Sequence, residues 1–409
     1  MRVALCTSNF PPEFLGGTER VVAALARALL AGGDEVLVVT GSDVPHCGED
    51  VQRSEQDGVT VARIARRRDE PYDLDVTRPR VRDLVVAELR RARIECVHVH
   101  HWAGLSSALL RGAREAGIPG IATLHDLWTT CPRFFRRAPA GLRCPSEASR
   151  EGCVPCVRLD LGHLDAAATL AAIRARDAGL RAELAAARAI TVPSATARRL
   201  IAAHLPFDGA IEVVPHGLLE AVGAHDPEPA LDGVLRVGHF GNLVAEKGVL
   251  LLVEACAGIE GLSLRLAGRF LDPAFESQVR TRAAALAVPL TIDGPYGPDR
   301  AHPARALDLA VFPSQCEETY GLVVEEALAR GVPVVVSDRG ALAERIGGAG
   351  VVVPVDEPGP LARVLRGIAA DRSRLHALRA KLPRRFDTMH ETADRYRALY
   401  RRARSGGPA

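Results

Sequence analysis

The stretch MRVALCTSNFPPEFLGGTERVVAALARALLAGG, residues 1–33, predicts one complete strand–loop–helix unit. An apolar strand leads into a loop with two glycines, and the apolar residues that follow have helical spacing and end at glycine. The stretch GVLRVGHFGNLVAEKGVLLLVEACAG, residues 233–258, repeats the same order of strand, glycine loop and helix. The repeat predicts two similar halves.

Strands and helices alternate throughout both halves. Strands joined by helices at this spacing lie parallel with right-handed crossovers, so the predicted fold class is α/β with two doubly wound, Rossmann-like domains. We place these domains at residues 1–205 and 206–385, with a hinge near 205–215, and a C-terminal helix over 386–409 that could cross back to the first domain. The predicted strands are MRVALCTSNF, DEVLVVTGS, IECVHVHHW, GIATLHD, GVLRVGHFGN, LSLRLAGR, VPLTIDG, LDLAVFPS and GVPVVVSD. The predicted helices include AGLSSALLRGAREAG and a long one at roughly residues 160–189.

Composition excludes several classes of protein. The 409 residues are 47% hydrophobic and 25% charged, as in ordinary globular proteins of two or three domains. With 52 basic and 50 acidic residues, no global charge favours nucleic acid as a partner. The sequence has no secretory apolar region at its N-terminus and no uninterrupted apolar run of about 18 residues. We expect a cytoplasmic protein and leave open peripheral contact with the inner face of a membrane.

Lysine is rare in this chain, whose basic residues are arginines except for Lys247 and Lys381. Lys247 precedes a predicted helix and follows the strand that ends near Gly241. A lysine there can reach a phosphate above the strand ends as a compact point charge. As an exposed side chain it would oppose the helix dipole by about a few tenths of a kcal/mol. The position therefore favours phosphate binding.

The segment CEETYGLVVEEALARG, residues 316–331, holds two pairs of glutamates around an apolar stretch. It follows a predicted strand, and it contains a predicted helix that ends at Gly331 before Pro333. The first-turn amides of that helix have no partner within the helix and suit a diphosphate. These amides belong to Gly321, Leu322 and Val323.

Two carboxylates would flank a diphosphate bound at that helix. Glu318 lies just before the amides, and Glu325 or Glu326 lies about five residues into the helix, some 7–8 Å along its axis. The sugar and the ribose of a nucleotide-sugar lie on opposite sides of the diphosphate, and their hydroxyls can donate to carboxylates. Helix phase does not choose between Glu325 and Glu326. A solvated acidic helix face is the alternative interpretation.

Two other short patterns bear on ligand binding. Gly16-Gly17 lies between a strand and a helix, where backbone amides could face an anion, although it matches neither the dinucleotide nor the P-loop pattern. A structural turn and a ligand-binding loop both remain open there. Asp73-Leu74-Asp75 lies in a polar loop, so we interpret it as structural and not as a metal-binding D-x-D motif.

Four of the nine cysteines cluster in a loop over residues 131–156. The C-x2-C pair at its end has the spacing of half a zinc site, but the first two cysteines are 13 residues apart, which is irregular. A structural zinc site, free thiols, and disulfides or another metal are the alternatives. The four are Cys131, Cys144, Cys153 and Cys156.

The same loop carries basic and aromatic residues together. They could bind an anionic acceptor or a lipid surface, or they could form a solvated loop anchored by its aromatics. These residues are Arg133, Phe134, Phe135, Arg136 and Arg137.

Several segments, taken in their order and spacing, resemble the retaining glycosyltransferases of the GT-B fold. EETYGLVVEEALARG resembles the E-x7-E signature of the large group typified by sucrose and mannosyl transferases. The resemblance covers nearly the whole chain and implies an N-terminal acceptor-binding domain and a C-terminal nucleotide-sugar-binding domain, with the site in the cleft between them. The other matching segments are FPPEFLGGTERVV, VPSATARRL, VVPHGL, LVAEKGVLLLVEA and SDRGALAERIGGAG.

The resemblance also implies roles for individual residues. The Gly-Leu-Val of the signature selects Glu318 and Glu326 and leaves Glu317 and Glu325 as surface charges. Glu318 would bind the hydroxyls of the transferred sugar, Glu326 would bind the donor ribose, and Lys247 would neutralise the diphosphate.

Further site residues follow from the resemblance alone. Asn242 stands where the family usually has an arginine, so the second phosphate cation is missing or supplied elsewhere. His125, in ATLHD, matches a histidine near the reacting sugar, with a capping or core histidine as the alternative. Gly16 and Gly17 would lie near the donor diphosphate or the acceptor.

The activity implied is retaining transfer of a sugar from a UDP- or GDP-sugar to a glycan, lipid or small-molecule acceptor that the sequence does not identify. Catalysis would need no metal or other cofactor, and would rest on Glu318, His125 and Lys247. Another nucleotide-sugar enzyme of this fold, such as an epimerase or a phosphorylase-type protein, is one alternative. A non-catalytic nucleotide-sugar-binding protein is the other.

Overall fold

The computed structural model describes residues 1–66, 74, 77–137, 144, 149–159, 162–204, 209–220, 222, 233–297 and 300–406. The chain forms two compact units. Unit 1 comprises Met1–Phe134, Cys144–Leu219 and Asp387–Ala409, and unit 2 comprises Phe135–Arg143 and Glu220–Phe386. The C-terminal segment thus belongs to the same unit as the N-terminus.

Unit 1 is an α/β unit built on an eight-stranded sheet. Its strands are β1 (Arg2–Thr7), β2 (Glu35–Ser42), β3 (Val51–Gln56), β4 (Val59–Ala65), β5 (Cys96–Val99), β6 (Gly120–Thr123), β7 (Ile190–Val192) and β8 (Ile211–Val213). Its helices are α1 (Gly17–Ala31), α2 (Pro79–Arg91), α3 (Leu109–Glu115), α4 (Arg150–Val157), α5 (Ala166–Leu184), α6 (Ala195–Ala202) and α13 (Met389–Arg404). The strand order is β3-β4-β2-β1-β5-β6-β7-β8, and every neighbouring pair is parallel except the antiparallel β3–β4 pair at the edge.

Strand β1 lies in the interior of this sheet because its side chains are apolar on both faces. Val3, Ala4, Leu5 and Cys6 are all 0% exposed, as expected for a parallel strand covered by helices on both sides. The next element, α1, buries the apolar residues that recur at helical spacing, among them Val22 and Leu25. The sheet therefore presents the carboxyl ends of β1, β5 and β6 at one edge.

Helix α13 completes the core of unit 1. It begins at a capping box in which Thr388 and Glu391 satisfy each other's backbone amides. Its two buried tyrosines donate or accept hydrogen bonds at the sheet, Tyr396 with Thr123 Oγ1 at 3.0 Å and Tyr400 with His98 Nδ1 at 2.8 Å. Apolar burial and these polar contacts together join the last helix to the first half of the chain.

Unit 2 is a second α/β unit, with a six-stranded sheet. Its strands are β9 (Leu235–Phe240), β10 (Leu262–Ala267), β11 (Leu290–Gly294), β12 (Leu309–Phe312), β13 (Val334–Ser337) and β14 (Gly350–Val353). Its helices are α7 (Val249–Cys256), α8 (Pro273–Ala285), α9 (Leu322–Ala329), α10 (Leu342–Arg345), α11 (Gly359–Ala370) and α12 (Ser373–Arg379), with 3-10 turns at Ala245–Lys247 and Pro303–Ala306. The strands are parallel, in the order β11-β10-β9-β12-β13-β14. Doubly wound order places β9 and β12 side by side, with their carboxyl ends at one edge.

All nine predicted strands are present, and the structure adds five. Strands β3 and β4 form a hairpin around Asp57-Gly58, whose φ values of 52° and 75° are those of a type I′ turn. This antiparallel hairpin was not predicted from the sequence pattern. Strands β7 and β8 have three residues each, which is too short for a clear pattern, and β14 was also missed.

Two predicted helices are shorter than expected. Helix α5 spans Ala166–Leu184, because the Asp165 side chain accepts from the Ala168 amide and fixes its start. Helix α3 begins only at Leu109, since the serines before it bond to the chain near Thr77 and Arg78. Asp73 and Asp75 of the polar loop lie outside the described residues.

Candidate active site

Helix α9 presents its N-terminus at the carboxyl edge of the unit 2 sheet. Its N-cap, Gly321, has φ 86°, and a Cβ there would lie 2.2 Å from Leu342 Cδ2, so both the backbone and the space require glycine. The Val324 amide bonds back to the Gly321 carbonyl at 3.0 Å. The amides of Leu322 and Val323 precede it in the first turn, where the helix dipole favours an anion.

Glu318 and Lys247 meet beside that helix. Lys247 Nζ donates to Glu318 Oε1 at 2.5 Å, and Ser314 Oγ donates to the same oxygen at 2.6 Å. Burial would raise the pKa of Glu318, but the Lys247 ammonium and these hydrogen bonds outweigh it and hold the pKa below its usual value. Burial would likewise lower the pKa of Lys247, and the Glu318 charge raises it. Both groups are therefore charged at neutral pH.

Tight backbone packing holds these two side chains together. A Cβ at Gly248 would lie 2.1 Å from the Pro313 carbonyl oxygen, and the Gln315 amide donates to the Glu246 carbonyl at 2.8 Å. The loop after β9 therefore lies directly on the loop after β12. On the other side of Glu318, a Cβ at Gly340 would lie 2.1 Å from its carbonyl oxygen.

Asn242 lies on the same loop, half-buried after β9. Its neighbour Gly241 has φ 121°, and a Cβ on Gly241 would lie 3.4 Å from Val323 Cγ1 at the start of α9. The predicted donor residues of unit 2 thus gather around one helix N-terminus: Asn242, Lys247, Glu318, Gly321, Leu322, Val323 and, one turn on, Glu326.

The structure separates Glu326 from Glu325, which helix phase had left equivalent. Glu326 is 4% exposed, and its Oε2 lies 3.6 Å from His302 Nε2. The Ala304 amide donates to His302 Nδ1 at 3.2 Å, so the proton of the neutral ring is on the nitrogen that faces Glu326. Glu325 instead accepts from the Tyr320 hydroxyl at 2.9 Å.

Glu317 corrects one expectation. It was predicted to be a surface charge, but it is only 8% exposed, and its Oε2 accepts from the Gly340 amide at 2.8 Å. Glu317 therefore has a structural role in holding the loop that follows β13 against the loop that follows β12. Its neighbour Glu318 makes the contact with Lys247.

In unit 1, the predicted glycine loop holds a carboxylate of its own chain. Glu19 is 7% exposed, and a Cβ on Gly16 would lie 2.4 Å from Glu19 Oε2, so the side chain folds back over the start of α1. Burial raises the pKa of Glu19, although hydrogen bonds from its own amide and from Asn9 oppose the shift. The anion predicted to bind at Gly16-Gly17 would therefore compete with Glu19 for the helix N-terminus.

His125 follows β6 and is 7% exposed. Its Nε2 lies 2.8 Å from His100 Nδ1, and its Nδ1 lies 3.3 Å from His216 Nε2. Burial lowers the pKa of His125 well below its usual value, and the neighbouring His216 adds to the shift. His125 is therefore neutral at pH 7, and both ring nitrogens contact other imidazoles of unit 1.

A second polar cluster at this edge was missed by the sequence analysis. His101 Nδ1 accepts from the Ala103 amide at 3.0 Å and lies 2.8 Å from Ser8 Oγ, while its Nε2 lies 3.1 Å from Asp126 Oδ2. Burial would raise the pKa of Asp126, but His101 outweighs it and lowers the pKa. The signals were present in the sequence as polar residues at the ends of three strands, in the segments TSN, HVHH and LHD.

The cysteine loop gives a mixed result. Cys153 and Cys156 lie on α4, where they are contacted by arginines, Arg150 at 3.9 Å and Arg133 at 3.6 Å. Within the described ranges, which include Cys131 and Cys144, no disulfide forms and no group of three or more His, Cys, Asp or Glu side chains is placed to hold a metal. The zinc site stays a prediction.

The basic and aromatic residues of this loop do not form one exposed surface. Arg136 is 4% exposed, whereas Phe135 is 41% exposed. Arg137 donates to Gln315 Oε1 at 3.0 Å within unit 2. Arg136 is therefore buried and Phe135 exposed, and the anion-binding role of the loop stays a prediction.

Sequence comparisons show the family to which the chain belongs. The family model described as Glycosyltransferase Family 4 matches residues 15–218, and Glycosyl transferases group 1 matches residues 234–371. D-inositol 3-phosphate glycosyltransferase 1 of Catenulispora acidiphila is 30% identical over 413 residues, which cover 96% of this chain and 92% of that protein. The chain belongs to glycosyltransferase family 4. A D-inositol 3-phosphate glycosyltransferase of Acidothermus cellulolyticus is 27% identical over 88% of this glycosyltransferase and 82% of its own length.

Solved structures confirm the GT-B fold of this family 4 glycosyltransferase. Sucrose-phosphate synthase from Thermosynechococcus elongatus superposes with a TM-score of 0.72 at 20% identity, over 99% of this chain and 100% of that one. Anabaena HepE in complex with UDP-glucose gives a TM-score of 0.65 at 18% identity, over 98% and 100%. Among the described residues of the enzyme, no helix is both long and apolar enough to cross a membrane.

Proposed function

We propose that this glycosyltransferase transfers a sugar, with retention of anomeric configuration, from a nucleoside-diphosphate sugar bound by unit 2. The observation that carries the proposal is the placement of Glu318 and Glu326 around the N-terminus of α9, with Lys247 Nζ 2.5 Å from Glu318. One carboxylate precedes the first-turn amides and the other follows them. This arrangement fits a diphosphate with a hydroxylated group on each side.

Each residue has a distinct part in the proposed reaction. The amides of Leu322 and Val323 and the Lys247 ammonium stabilise the diphosphate as its charge grows, so that no divalent metal is needed. Glu318 accepts hydrogen bonds from hydroxyls of the transferred sugar, and Glu326 from those of the ribose. The bond from the sugar to the phosphate oxygen breaks, the acceptor oxygen bonds to the same face of the sugar, and the departing phosphate takes the acceptor proton.

UDP is the first nucleotide to test, and D-inositol 3-phosphate is the first acceptor. Anabaena HepE has been solved with UDP-glucose, and two of the relatives described above are named for D-inositol 3-phosphate. Asn242 in place of the usual arginine leaves Lys247 as the cation of this loop, so the donor affinity should depend strongly on Lys247.

A thermal-shift screen of UDP-, GDP- and ADP-sugars against the wild-type enzyme and Glu326→Ala tests the donor. We expect one nucleotide class to raise the melting temperature of the wild type and not that of the variant, while the matched variant Glu325→Ala responds like the wild type. NMR of the product then gives the anomeric configuration, and EDTA tests metal independence. Conversion of the donor without any acceptor would identify an epimerase, and binding without turnover a non-catalytic protein; either result refutes the proposal.

A further inference from the structure

Three buried histidines of unit 1 form a continuous row, here called the imidazole chain (His100, His125 and His216). His100 Nδ1 lies 2.8 Å from His125 Nε2, and His125 Nδ1 lies 3.3 Å from His216 Nε2. The rings of each pair stack, with centroids 5.0 Å apart and interplanar angles of 29° and 22°. The three side chains come from the loops after β5, β6 and β8.

The protonation states of these rings are linked. Burial lowers the pKa of His100 and of His125 well below the usual value, and the nearby imidazoles add to both shifts. Each of these rings is therefore neutral at pH 7, with one N–H and one bare nitrogen. A hydrogen bond between two imidazoles needs an N–H on one side and a bare nitrogen on the other. The buried His100 Nε2 has no hydrogen-bond partner among the described residues, and an unpaired N–H there would cost more than a bare nitrogen. His100 therefore carries its proton on Nδ1 and donates to His125 Nε2, which leaves the proton of His125 on Nδ1.

The two bonds of His125 differ in strength. The 2.8 Å distance to His100 is that of a good hydrogen bond, whereas the 3.3 Å distance to His216 is long. Exchanging the partner of His125 Nδ1 therefore costs less free energy than exchanging the partner of its Nε2. Among the described residues, the titratable groups that face His125 include His216, Asp126 and His101 besides His100.

His100 is itself firmly held and has few other polar contacts. Its amide donates to the Cys6 carbonyl at 2.8 Å. The centroid of its ring lies 3.8 Å from that of His98. The His98 ring is in turn fixed by hydrogen bonds with Tyr400 and Thr123. His100 Nε2 is buried and has no hydrogen-bond partner in the described part of the chain. Among the described residues, the hydrogen bond with His125 is thus the one that holds the His100 ring through Nδ1.

We propose that His100 is a positioning residue for the transfer reaction. Through Nδ1 it locks His125 into a single neutral tautomer and a fixed ring orientation, and it leaves Nδ1 of His125 to exchange His216 for a substrate hydroxyl. The part that concerns substrate rests on the proposed function and on the position near the reacting sugar that the family resemblance predicts for His125. The restriction of His125 to one tautomer does not depend on either, so the two parts of the proposal can fail separately.

NMR of the ring nitrogens in 15N-labelled full-length enzyme tests the lock without any substrate. We expect His125 to show one neutral tautomer in the wild type and in His100→Asn, whose amide can replace Nδ1 in the hydrogen bond. In His100→Leu the signals should shift to an average of both tautomers. His125 should keep its single tautomer in His216→Leu. This second variant keeps the proposal testable if His100→Leu does not fold. If His216→Leu mixes the tautomers, or His100→Leu keeps them unmixed, the proposal is wrong.

Kinetics with UDP-glucose and D-inositol 3-phosphate test the consequence. We expect His100→Leu to lower kcat about tenfold or more, because His125 loses the hydrogen bond that orients its ring, with donor KM nearly unchanged. His100→Asn should restore most of kcat, and His390→Gln, a change at an exposed histidine of α13, should match the wild type. An unchanged kcat in His100→Leu would overturn the positioning role while leaving transferase activity in place. A wild type that turns over none of this pair would count against the proposed substrates, and the NMR result would still decide on the lock.

Discussion

Lys247 Nζ lies 2.5 Å from Glu318 Oε1, and both side chains are proposed to contact the donor. Their side chains are 16% and 26% exposed, so each is a largely buried charge that the other compensates. Removing one partner leaves the remaining charge without compensation, which costs more than the pair itself contributes.

We therefore predict that Glu318→Gln and Lys247→Met each lower the free energy of unfolding of unit 2 by about 2 kcal/mol. The double variant should lose clearly less than the sum of the two, because it removes both charges together. Each single variant should also lower the transfer rate about a hundredfold. Hydrogen exchange of unit 2 peptides measures the first effect, and strictly additive losses would contradict the coupling.

Glu326 and Glu325 provide a matched pair of neighbours on one helix. We predict that Glu326→Ala raises KM for the donor about tenfold or more, the loss expected for a charge-assisted hydrogen bond. Glu325→Ala should change KM less than about threefold, since Glu325 bonds to Tyr320. Equal effects from both variants would mean that the helix face is simply an acidic surface.

Alanine variants of two glycines in unit 2 distinguish the effect of backbone strain from the effect of displacing Glu318. Gly340 and Gly348 both have left-handed φ values, 67° and 92°, so the backbone conformation by itself costs alanine about 1 kcal/mol at either. Only at Gly340 would the new Cβ meet the backbone of Glu318, 2.1 Å from its oxygen, whereas at Gly348 the nearest atom is 3.8 Å away on Lys381. We predict that, in transfer assays at equal concentrations of folded protein, Gly340→Ala abolishes transfer and Gly348→Ala retains it. Full activity in Gly340→Ala would show that the position of Glu318 tolerates movement.

The buried histidines make the stability of unit 1 sensitive to acid. Burial lowers the pKa of His98, His100 and His125 well below the usual value, so between that value and the folded pKa only the unfolded chain binds their protons. Stability is therefore fully present above about pH 6.5 and falls below it, by about 1.4 kcal/mol per pH unit for each histidine.

Urea unfolding followed by tryptophan fluorescence measures this, because Trp102 and Trp128 both lie in the core of unit 1. We expect the unfolding free energy to fall steeply from pH 7 to pH 5 in the wild type and less steeply in His98→Gln. The exposed His390 serves as the control, since His390→Gln should keep the wild-type slope. A wild type equally stable at both pH values would contradict the prediction.

Sequence patterns predicted the parallel sheets because short, mostly apolar segments such as those of β1 and β9 alternate with helical patterns along the chain. They did not predict β7 and β8, since three residues carry no period, or the burial of Glu317, since its partner Gly340 is 23 residues away. Local spacing likewise could not separate Glu325 from Glu326. The contacts that do so come from Tyr320 on one side and from His302, beyond β11, on the other.

The imidazole chain shows the same limit in unit 1. His100, His125 and His216 are far apart in the sequence, and each alone is compatible with a core histidine. Only parallel strand pairing brings the ends of β5 and β6 together. The family resemblance placed His125 at the site, but the two neighbours that occupy its ring nitrogens had no signal in the pattern of the chain.

The return of α13 to unit 1 also has a consequence for biosynthesis. Tyr400 and its partner His98 are separated by 302 residues, and Tyr396 and Thr123 by 273. Because translation delivers the chain from its N-terminus, the sheet of unit 1 exists on the ribosome without the two tyrosines that satisfy its buried polar groups. Residues 220–386 are made before α13, so unit 2 can close its core before the two tyrosines reach the sheet of unit 1.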